Sequence, residues 1–244
     1  MNKEEIVSRK KDIEILLEKA ERLFSKIEIE YKKALETKKI LPDMQIDIKD
    51  FFGNLRSALD YLAHDIVEKF CQNANPKDNI YFPIRTEEKA FEKVMKKTYP
   101  KLQENCEAVY NILKSVQPFE KPENIWFRYF NEINNENKHE RLVPQIRTEK
   151  RGRVTVKPKT GGVITWDSQT VKFGKNVYAG GVPIDTDTQL PIPSDSQTVL
   201  VEVWADLQFE SISVSSMELM QKSISNIRKI CNEILVFCQK QIST

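Results

Sequence analysis

The sequence predicts a mainly α (α+β) protein: a helical bundle with two long antiparallel helices and an antiparallel β-sheet inserted before the C-terminal helix. Three observations carry this. Apolar residues step by four and three through 3–38, through 44–72 and again from about 214. Between 142 and 210 the period drops to two. Glycine is scarce, 7 in 244, which favours helix and disfavours glycine-rich nucleotide loops. The expected divisions are 1–141 as helical bundle, 142–211 as β insertion and 212–244 as the helix that completes the bundle.

The first helix carries Ile13, Leu17, Ala20, Phe24, Ile27, Tyr31 and Ala34 in a heptad seam. Leu41-Pro42-Asp43 breaks it. The second helix carries Ile48, Phe52, Leu55, Leu59, Leu62 and Ile66 in the same rhythm. So short a turn between long helices implies an antiparallel hairpin. Residues 73–85 connect, and Thr86 is placed to cap a short helix to about Lys97. Pro100 opens a helix to about Val116, which Gln117-Pro118-Phe119 ends. Pro122 suits the first turn of the next helix, with Ile125, Trp126, Phe130 and Ile133 inward. In the β region Val154 and Val156 alternate with polar residues, Gly161-Gly162 turns, and Val199 to Phe209 form a strong strand. Residues 185–198 read as a loop. Met217, Met220, Ile224, Ile227, Cys231, Ile234 and Cys238 then return to helical spacing.

Composition excludes some classes. The formal charge is only +2, so any polyanion site must be local. No apolar run approaches the roughly 18–20 residues needed to cross a bilayer. A cytoplasmic protein with no membrane association is expected. The four cysteines contain no CxxC pair, which argues against a zinc knuckle. Cys231 and Cys238 share a heptad phase and read as buried thiols. There is no P-loop, no GxSxG and no dinucleotide fingerprint, so no cofactor is expected.

Two polar helical stretches stand out. Arg56, Asp60 and His64 repeat every fourth residue along the second helix, off its leucine seam. Gly53 shares their face and suggests the close approach of another element. Asn131, Asn135 and His139 repeat likewise on the later helix, with Arg128 and Lys138 beside them. So many asparagines oppose helix propensity, and a locally broken rule often marks a site. The plainer readings are a surface ion pair for Arg56 and Asp60, and a fraying helix end for the asparagines. The two stretches are expected to meet. A metal held by His64, His139 and Asp60 would have a bare minimum of ligands, and none is expected. Residues 147–159 hold six basic residues and one acid, and could touch phosphates or simply protect a strand edge.

The order NLRSALD, FPI, QPF and NNENKH resembles a family of uncharacterised bacterial proteins with LRSALDhL, FPI, QPY and LNxxDKHR motifs, over roughly residues 50–143. More distantly the architecture is similar to HEPN helical domains, many of which are metal-independent RNases. That resemblance implies binding of RNA or a nucleotide, and a metal-independent RNase as its catalytic form. In such an enzyme Arg56, Asp60 and His139 would be catalytic, with Asn135, Lys138, His64 and Asn131 binding. Histidine would move the proton and the cations would hold the phosphate. The alternative is a non-catalytic structural or interaction protein in which the same residues form a buried network fixing helix register. Long heptad helices also suit a homodimer.

Overall fold

The computed structural model describes residues 9–71 and 79–240. It holds seven α-helices and six strands among them. By internal contacts the chain divides into one unit of residues 1–146 with 207–244, and a second of residues 147–206. Strands β1 (Gln145–Pro158) and β5 (Gln197–Phe209) each run across that division.

In the first unit, α1 (Lys10–Thr37) and α2 (Pro42–Phe70) pack along their length as the expected hairpin. Pro42 opens α2, where its missing N–H has no intrahelical partner to lose. Lys38 ends α1 in the left-handed region at φ 58°. The α1 seam differs from expectation in one register. Leu23 is buried, while Phe24 and Tyr31 are half-buried. On α2 the six expected residues are all buried, and Phe51, Ala58, Ala63 and Val67 widen the stripe. A helix contacted on more than one side needs such a broad apolar face, and α6 and α7 as well as α1 pack on α2.

The start of α1 is capped from α2. The Arg9 backbone N–H donates to both carboxylate oxygens of Asp65 at 3.1 and 3.3 Å, and Arg9 Nη1 donates to Oδ1 at 3.0 Å. Asp65 is wholly buried. Its charge therefore sits at the positive end of the α1 dipole, where burial is tolerable.

Residues 79–85 run extended to α3 (Glu88–Thr98). Glu87, not Thr86, is the residue before that helix, and it makes no side-chain cap. The single helix expected from Pro100 is two: α4 (Leu102–Asn105) and α5 (Glu107–Ser115). Cys106 separates them with φ −155°. Pro122 opens a 3₁₀ turn, Pro122–Asn124, which leads into α6 (Ile125–His139). Trp126, Phe127, Phe130 and Ile133 are buried, but Ile125 is 39% exposed and does not point inward. Helix α7 (Ser216–Lys240) buries Met220, Ile224, Ile227, Cys231, Ile234 and Cys238. The heptad seams of α1, α2 and α7 are thus buried within one chain. Phe209 at the end of β5 packs on Phe52, with ring centroids 5.9 Å apart.

Strands β2 (Ile164–Asp167), β1, β5 and β6 (Val214–Ser215) form one sheet in that order. The β1–β2 hairpin is antiparallel, with Val154 opposite Trp166. In the second unit β3 (Tyr178–Ala179) and β4 (Val182–Pro183) make a small hairpin. This unit has its own core of Val154, Val156, Trp166, Ala179 and Ile184. Gly180, at φ +59°, is required here because a Cβ would lie 2.6 Å from the Pro158 ring. Val203 is in step with Leu207 and Phe209 along β5, but it is 49% exposed while they are wholly buried. The basic segment forms β1, where Arg147 pairs with Glu149 and Arg151 donates to the Thr188 carbonyl at 2.6 Å.

Among the described residues no helix is long and apolar enough to cross a membrane.

The Asp65 cap predicts a defined cost. Asp65→Ala leaves the Arg9 amide without this acceptor and removes one partner of the Arg9 guanidinium, and is expected to lower stability by about 2 kcal/mol, read as a fall of roughly 5 °C in Tm.

Candidate functional site

Helix α2 supplies the first half of the site. Arg56 and Asp60 lie one turn apart, and their side chains are only 16% and 20% exposed. Arg56 donates through Nε to Asp60 Oδ2 at 3.2 Å, and its Nη2 lies 3.0 Å from Oδ1. Two parallel bonds fix the guanidinium plane.

The pair also grips another segment. Asp60 Oδ1 accepts the Phe82 backbone N–H at 2.9 Å, and Arg56 Nη2 donates to the Phe82 carbonyl at 3.3 Å. Both polar groups of one extended residue are therefore held by side chains of α2. The neighbours of Phe82 are held as well. The buried Tyr99 hydroxyl donates to the Tyr81 carbonyl at 2.7 Å. Gln117 is wholly buried, donates to the Pro83 carbonyl at 2.9 Å and accepts the Arg85 N–H at 2.9 Å. Asn124 in turn bonds the Ser115 and Gln117 carbonyls. The sequence reading treated Gln117 only as part of a helix stop, and missed this role. An isolated glutamine in an apolar context was the available signal.

Helix α6 supplies the second half. A cleft of about 500 Å³ is lined by Lys49, Asp50, Gly53, Asn54, Arg56, Ser57 and Asp60 of α2 and by Asn134, Asn137 and Lys138 of α6. The two polar stretches therefore do meet, but on a different face of α6. Lys138 lines the cleft as expected of it. Asn131, Asn135 and His139 do not line it, and neither does His64 on α2. Asn135 and His139 are exposed, while Asn131 and His64 are half-buried. The reason is the apolar stripe of α6. Trp126, Phe130 and Ile133 step by four and three, and the next step is Asn137. Asn134 and Asn137 continue the inward face and are 7% and 8% exposed. His139 is turned away from that face.

Gly53 does not mark a close approach. A Cβ there would meet nothing within 4 Å. The glycine instead leaves the floor of the cleft open, beside the small side chains of Asn54 and Ser57.

Two residues that line the cleft each carry a buried donor without a partner. Arg56 Nη1 is buried and has no acceptor. Asn137 uses Oδ1 to accept the Val143 N–H at 2.9 Å, which fixes the orientation of the amide. Its Nδ2 is buried and has no acceptor. Lys138 is exposed. Burial pushes the Asp60 carboxyl up; the charge of Arg56, the Phe82 N–H and Lys138 act against this, and the outcome stays above the ordinary aspartate value. The arrangement can offer hydrogen-bond donors and positive charge to an acceptor-rich ligand. Among the described residues no three of His, Cys, Asp and Glu gather as a metal cluster.

No family model matches the chain, and no curated protein or solved structure is similar to it.

Two outcomes follow from this geometry. Gly53→Ala places a methyl group in open space on a helix, so stability is expected to rise by about 0.5–1 kcal/mol in chemical denaturation. The carboxyl of Asp60 is expected to titrate above the ordinary aspartate value by NMR, and Lys138→Gln is expected to raise it further, because the ammonium group favours the ionised form.

Proposed function

We propose that this chain binds RNA or a nucleotide in the α2–α6 cleft, as a HEPN-like helical protein, and that the cleft holds a phosphate without cutting it. The observation that carries the reading is the pair of buried donors, Arg56 Nη1 and Asn137 Nδ2, in residues lining the same cleft as Lys138. Buried donors are nearly always satisfied, and a small movement that opens these atoms to the cleft would offer them to an anion with several oxygens. The ligand is expected to be an acceptor-rich anion, because the two buried groups without partners are both donors and Lys49 and Lys138 line the same cleft.

Cleavage is not favoured by the same geometry. A metal-independent RNase needs a proton acceptor that works near neutrality, and neither His64 nor His139 lines the cleft. The Asp60 carboxylate is already occupied by Arg56 and the Phe82 N–H.

The structural alternative has its own support. The bonds from Arg56 and Asp60 to Phe82 are those of a register-fixing network. The two readings divide the residues between them. Asp60 and most of Arg56 hold the backbone, while Arg56 Nη1, Asn137 and Lys138 remain for a ligand.

Fluorescence anisotropy with a labelled oligoribonucleotide tests this. Lys138→Glu is expected to weaken binding about tenfold, to lessen the salt dependence by about one charge and to leave Tm unchanged. Equal affinity for the variant and the wild-type protein, or no binding of either the oligoribonucleotide or AMP by the wild-type protein, would sink the proposal.

A further inference from the structure

Tyr81 stands beside the phosphate site and belongs to none of the roles above. Tyr81 is 51% exposed although its own carbonyl and the next amide are both held. Its carbonyl is held by Tyr99, and the next residue is held by Asp60 and Arg56. An exposed aromatic ring on a mobile loop would lose conformational freedom on binding a ligand. A ring on a segment this well anchored has already lost it.

The ring is also linked to the cleft. The Arg56 guanidinium carbon lies 5.9 Å from the Tyr81 ring centroid. One guanidinium therefore faces an aromatic ring and also lines the cleft with Asn137 and Lys138. A further cation lies close by. The Arg85 guanidinium is partly desolvated, which together with the positive charge of Arg56 holds it below the usual value, while the residue keeps an exposed surface. Its guanidinium donates to the adjacent Ile84 carbonyl at 2.7 Å. Cations interleaved with an exposed aromatic ring are what a ligand of alternating phosphates and flat bases requires.

Resting on the cleft reading above, we propose that Tyr81 is a stacking platform for a nucleobase whose phosphate lies in the cleft with Arg56, Asn137 and Lys138. The ligand class is thereby narrowed to one carrying a base, as a free nucleotide or as single-stranded RNA. Bare phosphate would use the cleft alone. Duplex RNA would keep its bases stacked on each other and leave the ring unused.

The test measures binding of three probes to the full chain: a short fluorescein-labelled single-stranded oligoribonucleotide, AMP and inorganic phosphate. Tyr81→Leu is expected to weaken whichever base-carrying probe binds by about 10–100-fold and to leave phosphate binding and Tm unchanged. Tyr81→Trp is expected to keep the affinity, with the new indole quenched as the base stacks on it. This second variant decides the matter even where the leucine variant is less stable. Tight binding of AMP would identify a mononucleotide site, and binding of the oligoribonucleotide alone would identify an RNA site. Tyr81→Leu binding like the wild-type protein while Lys138→Glu binds weakly would overturn the platform and leave the cleft standing. Wild-type affinity in both variants would overturn both.

Discussion

The bond between the Asp60 carboxylate and the Phe82 amide is the constraint on which the site depends. It joins the middle of a long helix to an extended segment 22 residues away. That segment cannot satisfy its own backbone groups, because residues 79–85 have no strand or helix partner. Asp60, Arg56, Tyr99 and Gln117 satisfy them instead. A buried carboxylate is costly when unpaired, and here it is paired with a guanidinium in two-point contact. The arrangement is self-consistent: the arginine needs the acid, and the acid needs an N–H donor. Phe82 gains by it too, since its wholly enclosed ring packs against Phe127 at 6.0 Å.

The same logic explains why the cleft forms where it does. Along α6 the inward stripe begins as Trp126, Phe127, Phe130 and Ile133 and then turns polar at Asn134 and Asn137. Aromatic residues hold α6 against α2 at one end, where Phe52 and Phe130 are 5.7 Å apart. Asparagine is shorter than those rings and cannot close the gap at the other end. Gly53 and Ser57 on α2 widen it further. The cleft is thus the place where the apolar interface stops and small polar residues begin. Asn137 also fastens the chain beyond α6 through the Val143 amide, so it cannot turn away to satisfy Nδ2 elsewhere.

Much of the fold was legible because long helices advertise their buried faces. The α2 stripe from Ile48 to Ile66 is wholly buried, and the change of period at 142 marks where strands begin. Local chemistry was less legible. Pro100 and Leu102 read as the start of one helix, yet Cys106 takes an extended φ that splits it, which no periodicity shows. Thr86 has the residue type of a cap but lies one position too early, and Glu87 precedes α3 without capping it. In the site, Arg56, Asp60 and Lys138 were visible as charged residues on helical faces. Asn134, Asn137 and Gln117 are less legible because they do not repeat with other polar residues as Asn131, Asn135 and His139 do. Asn137 was instead in step with the apolar stripe of Trp126, Phe130 and Ile133. A polar residue in phase with a core stripe is the stronger signal, since it must be buried and must find partners.

That distinction also bears on catalysis. Histidine is the side-chain type suited to proton transfer near neutrality, and His139 follows a run of asparagines. Its position is set by the aromatic stripe, which fixes the rotation of α6 about its own axis. With Phe127, Phe130 and Ile133 wholly buried, Asn134, Asn137 and Lys138 face the cleft and His139 lies one position, about 100°, beyond Lys138. Bringing His139 into the cleft would require α6 to rotate by roughly that angle and expose three wholly buried apolar side chains. Each costs about 1.5–3 kcal/mol when returned to water, which together approaches the whole stability of an ordinary domain. A side-chain rotation at the helix end cannot substitute for it. The core of the bundle therefore decides the chemistry of the cleft: it admits donors from α6 and keeps the histidine outside.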